Sequence, residues 1–301
     1  MTLNIVRGRQ AAPAKVVLYG GEGLGKSTLA SQFPNPLVLD TEDGTKHLDV
    51  ARVSVSDWQT LKTAVASLKV DRQGFSTLVL DSVDWAERLL VERVCKDGGK
   101  DSVEGFGFGK GWVIVSEQMG KFLDSLDALV DAGMHVVLVG HSCVKRTSPP
   151  EMTEGYDRHE LKLSKQVSAL VKEWADAVLF LNYRTKVVEG TDGRAKAIGG
   201  KERYMYAERC AAFDAKNRYG LPAEMPMTIE ALAPLFNKQA QPTVRERIAA
   251  AGTAEALDEI AVLVDEQESK GRLDADKAAT ARELIAARRD ALEPAHEEAT
   301  A

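Results

Sequence analysis

Lys15-Val16-Val17-Leu18-Tyr19-Gly20-Gly21-Glu22-Gly23-Leu24-Gly25-Lys26-Ser27-Thr28 is the stretch whose reading decides the fold. A β-branched apolar run leads into Gly20–Ser27, which fits G-x-x-x-x-G-K-[ST], and a helix is expected to start near Lys26. The glycines let the backbone curl so that its N–H groups face phosphate oxygens at the mouth of that helix. Gly20, Gly21, Glu22, Gly23, Leu24, Gly25, Lys26, Ser27 and Thr28 are therefore the candidate cradle for a nucleoside triphosphate. Lys26 is expected to neutralise the β- and γ-phosphates, and the Ser27 hydroxyl to ligate Mg²⁺.

Working outward, two further apolar runs end in acids. Phe75 to Asp81 is followed by Ser82, so Asp81 is expected at a strand end beside the loop, holding the metal through a water. A helix cap before Val83 to Lys96 is the plainer reading of Asp81 or Ser82, and the two are compatible. Leu37-Val38-Leu39-Asp40 carries Thr41-Glu42-Asp43-Gly44 at its tip. Glu42 is a candidate base for the attacking water, against the alternative of a solvated Asp-Gly turn.

Strands expected at Val16–Tyr19, Leu37–Asp40, Thr77–Asp81, Val136–Val139 and Ala177–Tyr183 alternate with helical segments, the pattern of a mostly parallel α/β sheet. Met119, Phe122, Leu123, Leu126 and Val130 recur at spacings of three and four and make one apolar helix face. Asp97–Gly111 and Val144–Arg158 break the rhythm and read as long loops. A turn-rich run at 189–193 suggests a small antiparallel extension. A polar linker follows near Gln239–Pro242, and Val244–Leu292 reads as a two-helix hairpin. The expected division is thus a nucleotide-binding core over residues 1–238 and an acidic helical appendage over 243–301.

Charge supports that division. The 301 residues carry a net charge of −6. Residues 1–242 hold 31 basic and 31 acidic residues, and residues 243–301 hold 8 and 14, so the appendage carries the whole excess. A globally basic field for nucleic acid is absent, and any such contact must come from local patches. Three cysteines, Cys95, Cys143 and Cys210, form no metal-binding pair or disulfide framework. The chain has no secretion signal and no apolar window of the roughly 20 residues a bilayer span needs, which suggests a cytoplasmic protein without membrane partners.

The order of these motifs resembles the RecA recombinase core: the P-loop, then Val38-Leu39-Asp40-Thr41-Glu42, then Thr77-Leu78-Val79-Leu80-Asp81-Ser82-Val83, then Val136–Val139 ending at Gly140-His141-Ser142. More narrowly it is similar to minimal phage-encoded RecA-like ATPases of single-strand annealing and recombination, over about residues 14–225. Phe106-Gly107-Phe108-Gly109-Lys110-Gly111, Glu173-Trp174-Ala175-Asp176 and Asp214-Ala215-Lys216-Asn217-Arg218-Tyr219-Gly220-Leu221-Pro222 add to the likeness.

The resemblance implies a RecA-like P-loop NTPase core hydrolysing ATP with Mg²⁺. It makes Glu42 the catalytic glutamate, Asp81 the magnesium-organising aspartate and His141 the γ-phosphate or DNA-state sensor, where RecA relatives usually have glutamine. It implies single-stranded DNA as partner, along with a homo-oligomer and a single-strand DNA-binding protein. Asp97–Gly111 and Val144–Arg158 would be its DNA-facing loops. There Phe106, Phe108 and Trp112 would stack on bases, and Lys100, Lys110, Lys145, Arg146 and Arg158 would contact phosphates. Lys216 and Arg218 would reach the γ-phosphate of a neighbouring subunit. Two other readings share the P-loop: a DNA-binding scaffold with little hydrolysis, and a small-molecule kinase.

Overall fold

Val16 and Leu18 pack on one face of the central sheet and Val17 and Tyr19 on the other, all four shut off from solvent. A strand buried on both faces is what a parallel sheet covered by helices requires. The computed structural model describes residues 12–148, 150, 154–189, 195–236, 248, 251–269 and 275–292. Strand β1 (Lys15–Gly20) runs parallel to β5 (His135–Thr147) on one side and to β7 (Ala177–Glu189) on the other. Beyond β5 lie β4 (Thr77–Asp81), β2 (Pro36–Asp40) and β3 (Ala51–Ser54), all parallel. Beyond β7, β8 (Ala195–Tyr206) and β10 (Glu224–Pro226) pair antiparallel. The order is β10-β8-β7-β1-β5-β4-β2-β3, with β6 (Tyr156–Leu161) on the outer half of β5 and β9 (Lys216–Asn217) on the start of β7.

One sheet face is covered by α2 (Trp58–Val70), α3 (Val83–Asp97), α4 (Lys110–Asp131) and α5 (Lys165–Trp174), through Leu61, Leu90, Met119, Phe122, Leu126 and Val167 among others. The other face is covered by the short α1 (Lys26–Ala30) and by α6 (Ala233–Phe236), through Leu29, Phe33 and Leu235. The register pairs Gly20 with His141 and Asp40 with Asp81. The tips of β1, β5, β4 and β2 therefore share one edge of the sheet, the edge where ligands bind in open α/β folds.

Two expected loops are corrected. Val144–Arg158 is largely a β-hairpin, with Ser142 to Thr147 pairing antiparallel with Leu161 to Tyr156. Its arms carry adjacent polar residues, Lys145-Arg146 and Asp157-Arg158-His159-Glu160, which hide the period of two; Pro149 and residues 151–153 at its tip lie outside the described residues. Asp97–Gly111 is shortened from both ends by α3 and α4, and Val103–Phe106 between them is a 3₁₀ turn anchored by the buried Val103. The short edge strand β3, with its mostly exposed residues, had no legible period.

The described C-terminal residues form a separate compact unit within residues 238–301, distinct from the unit Ala12–Asn237. Helices α7 (Ala254–Ser269) and α8 (Ala275–Leu292) pack through Leu257, Ile260, Val264, Ala278, Ala281 and Ile285. Arg282 pairs with Asp265 at 2.6 Å and also with Glu268 across that hairpin. The expected linker at 239–242 and Gly271 lie outside the described residues. Among the described residues no helix is long and apolar enough to cross a membrane.

Candidate active site

Two glycines set the P-loop's shape. A Cβ on Gly20 would lie 2.3 Å from the Leu181 carbonyl oxygen, so only glycine lets the tip of β1 approach β7 this closely. Gly25 caps α1 in the left-handed region at φ 89°, a conformation glycine adopts without steric penalty. The loop then delivers Lys26, almost fully buried, whose ammonium donates to the carbonyls of Gly21 at 2.7 Å and Gly20 at 3.2 Å. Burial holds the Lys26 pKa below its ordinary value, although Asp81, Asp84 and Glu42 pull the other way. A bound phosphate would give this charge the anionic partner it lacks.

Across the sheet edge, Asp81 is also nearly buried, and burial raises its pKa. Ser27 opposes the rise, while Glu42 and Asp40 add to it. A hydroxyl and a carboxylate lining one cleft, set in excess negative charge, are the hard oxygen donors that suit Mg²⁺. Ser27 and Asp81 thus fit the metal role expected of them.

The tip of β2 is braced from beneath. Asp40 accepts the N–H groups of Glu42 at 3.1 Å, Gly44 at 3.2 Å and Thr45 at 2.9 Å. Burial disfavours its ionised form, but the bonds from the Thr45 hydroxyl and these amides outweigh it and lower its pKa. Thr41 ties β2 to β4, donating its N–H to the Asp81 carbonyl at 2.8 Å and accepting the Ser82 N–H at 2.8 Å. Glu42 so held accepts a short hydrogen bond from the Ser82 hydroxyl and lies 3.8 Å from His141 Nδ1. Asp43 occupies the left-handed region at φ 57°, so the Asp-Gly turn and the positioned glutamate coexist.

His141, opposite Gly20, is held by Asp84 through both ring and backbone, at 2.9 and 3.1 Å. The Asp84 bond raises the His141 pKa against the effect of burial. Ligand atoms of Glu42, Asp84 and His141 lie within 4.8 Å of one another. Since the histidine ring already bonds the carboxylate, the trio reads as a proton-bearing network beside the phosphate site. Together with the P-loop these tips enclose a cleft of about 430 Å³, lined by Lys26, Ser27, Thr28, Glu42, Asp81 and His141 and, from β8, Arg203.

The other candidates lie elsewhere. Phe108 is 102% exposed, and Lys100 and Lys110 are exposed as well. Phe106 is turned inward, its ring 2.4 Å from where a Cβ of Gly98 would sit, and Trp112 is half-buried against the core. Arg146 is exposed on the hairpin, and Lys145 is half-buried, 3.7 Å from Glu160. Arg158 is corrected: it is 6% exposed and bonds Asp214 at 2.7 Å, because the hairpin register turns it inward, so it is not available to a phosphate chain. Lys216 donates to the carbonyls of Lys172 and Glu173 at the end of α5, and Arg218 pairs with Asp176 at 2.9 Å. Both stand at the sheet edge opposite the P-loop.

Asp84, Asp40 and Arg203 were missed from sequence. Asp84 in the first turn of a helix reads as ordinary dipole chemistry, and Arg203 reaches the cleft only through the antiparallel register of β8. No curated protein matches the chain. A family model described as an AAA domain (AAA_24) matches residues 12–219, more than half of the chain and all of the cleft-bearing sheet from β1 to β9. With the glycine-rich loop, Ser27, Asp81 and the braced Glu42 on one sheet edge, that match makes the chain a member of this AAA domain family, a P-loop protein of the nucleotide-hydrolysing kind.

Proposed function

We propose that the protein is a magnesium-dependent ATPase whose nucleotide state governs its grip on single-stranded DNA. The hydrolytic half is carried by Glu42, whose backbone is braced by Asp40 and whose carboxylate is bonded by Ser82 beside Lys26 and Asp81. A protein that only binds nucleotide has no need of a glutamate so braced. Ser27 and Asp81 would hold the magnesium, which supplies charge neutralisation at the phosphates. Glu42 would orient the attacking water, and His141 would register the γ-phosphate.

The DNA half is supported by Phe108. It sits in the left-handed region at φ 48° between Gly107 and Gly109, with its ring wholly in water and Lys110 two residues on. Such a conformation is costly for a bulky residue and persists where the surroundings impose it, often at functional sites. An exposed ring with a cation two residues away in sequence suits a stacked base and its phosphate. Lys100, Lys110, Lys145 and Arg146 remain the phosphate contacts of this reading. The resemblance to phage RecA-like proteins narrows the role to recombination or annealing, with self-assembly and a single-strand DNA-binding protein as partners. ATP turnover with and without single-stranded DNA is the test. Stimulation by DNA is expected, and turnover indifferent to DNA rejects the DNA half alone.

A further inference from the structure

Arg203 approaches the phosphate loop from the side that none of the catalytic candidates uses. It lies on β8 opposite Tyr183 of β7, and its carbonyl accepts the Met227 N–H at 3.0 Å. Its side chain folds over Gly25: a Cβ there would meet the guanidinium Nη1 at 2.8 Å and the Met227 methyl at 3.8 Å. The glycine before Lys26 therefore makes room for a guanidinium as well as for the turn. The same guanidinium lines the cleft with Lys26, Ser27 and Thr28.

Its guanidinium is not tied up as those of several other arginines are. Arg158 is paired with Asp214, Arg184 with Glu224 and Arg218 with Asp176. Arg52 donates to the carbonyls of Thr45 and Leu48. Among the described residues nothing pairs with the Arg203 guanidinium. A planar cation with free donors, laid along a phosphate-binding loop, matches phosphate geometry better than a point charge does.

The strand order says which phosphates. Asp81, Glu42 and His141 come from β4, β2 and β5, all on one side of β1, whereas β7 and β8 lie on the other. The γ-phosphate must face the metal and the glutamate, so the opposite side receives the α- and β-phosphates. We propose that Arg203 is a nucleotide-binding residue that contacts the α- and β-phosphates in cis from the β8 side of the P-loop. The inference rests on nucleotide binding at this loop. It makes the antiparallel extension part of the nucleotide site.

The test is calorimetric titration of the full chain with Mg-ATP and Mg-ADP, and steady-state hydrolysis, for wild type, Arg203→Ala and Arg203→Lys, with thermal unfolding to verify the fold. A charge-assisted contact made equally in ground and transition states raises KM and leaves kcat nearly unchanged. Arg203→Ala is expected to weaken ATP and ADP alike by about tenfold or more, with Arg203→Lys between it and wild type. Unchanged affinity for both nucleotides in Arg203→Ala overturns the inference, and a loss confined to ATP overturns its assignment to the α- and β-phosphates. Wild-type protein that binds neither nucleotide would instead bring down the underlying nucleotide reading, and this inference with it.

Discussion

Asp84 grips His141 twice: one carboxylate oxygen accepts the His141 backbone N–H at 3.1 Å, and the other lies 2.9 Å from its ring Nδ1. Burial opposes the charge of Asp84, but the His141 bonds outweigh it and keep its pKa below the ordinary value. An ionised carboxylate only accepts, so Nδ1 carries the proton and the ring orientation is set. Asp84→Asn should therefore lower the raised His141 pKa, as read by NMR titration of the ring protons. A folded-state pKa above the ordinary value of 6.5 means the protonated ring stabilises the fold below that pH. That contribution is lost as pH rises through the raised pKa. The stability gap between wild type and His141→Gln, measured by denaturant unfolding without nucleotide, should be wider near about pH 6 than near about pH 9. An equal gap at both refutes the coupling.

Lys26 and Glu42 should separate binding from chemistry. Lys26→Ala removes the buried ammonium that faces the phosphates and should abolish nucleotide binding in a fluorescence titration. Glu42→Gln keeps a side-chain oxygen to accept the Ser82 bond but loses the base. It should bind ATP as wild type does and turn it over about 10²-fold or more slowly. Wild-type turnover by Glu42→Gln would remove Glu42 from the chemistry.

How far these residues were legible in sequence depended on how local their signals are. The P-loop, the tips of β2 and β4 and the apolar face of α4 are written in contiguous stretches, so motif and period located them. Asp84 meets His141 through the approach of β5 to α3, Arg203 reaches the cleft through the register of β8 on β7, and no spacing within the sequence encodes either. The hairpin of β5 and β6 failed for a different reason. Its arms carry adjacent polar residues, Lys145-Arg146 and Asp157-Arg158-His159-Glu160, in place of the apolar-polar alternation of a half-buried strand, and so Arg158, a residue of the interior, looked like a surface cation.

Asp214 should prove structural. It bonds Arg158 and Lys172 at 2.7 Å each and lies 3.3 Å from Arg209, while its carbonyl accepts the Tyr19 hydroxyl at 2.5 Å. Burial disfavours its charge, but Lys172, Arg158 and Arg209 outweigh it and lower its pKa. A depressed pKa stabilises the fold above the unfolded value of about 3.9, and that contribution is lost as pH falls through the lowered pKa. Asp214→Ala leaves the buried Arg158 without its carboxylate and should cost about 3 to 5 kcal/mol in denaturant unfolding at neutral pH. The deficit should shrink in acid. A loss below about 1 kcal/mol contradicts this account.

Phe106 and Phe108, two positions apart, should divide stability from DNA binding. Phe108→Ala removes a ring that touches solvent only, so the melting temperature should hold while single-stranded DNA affinity falls by about 1 to 3 kcal/mol. Phe106→Ala opens space against Gly98, Gly111 and the core, and should cost about 2 kcal/mol or more of stability. Equal DNA affinity for Phe108→Ala and wild type, by fluorescence anisotropy, would exclude Phe108 as a stacking platform.

Arg218 is the sharpest test of assembly. The Arg218 N–H donates to the Asp176 carbonyl at 3.2 Å, and the Asp176 N–H donates to that of Lys15, the first residue of β1. The P-loop leaves from Gly20 at the other end, roughly 16 Å away at about 3.3 Å per residue. Within one chain Arg218 is therefore on the wrong edge for the γ-phosphate, and any catalytic part it plays must be in a neighbouring subunit. Lys216 is occupied by the carbonyls ending α5, whereas Arg218 is 61% exposed and held only by a surface pair with Asp176, worth about 1 kcal/mol or less. That pair can give way to a phosphate. Arg218→Ala alone should then lower turnover without weakening ATP binding. Mixed with Lys26→Ala it should recover part of the lost turnover, because one kind of interface joins an intact P-loop to an intact Arg218. Lack of recovery, in mixtures shown by native mass spectrometry to contain hetero-oligomers, confines Arg218 to its pairing with Asp176.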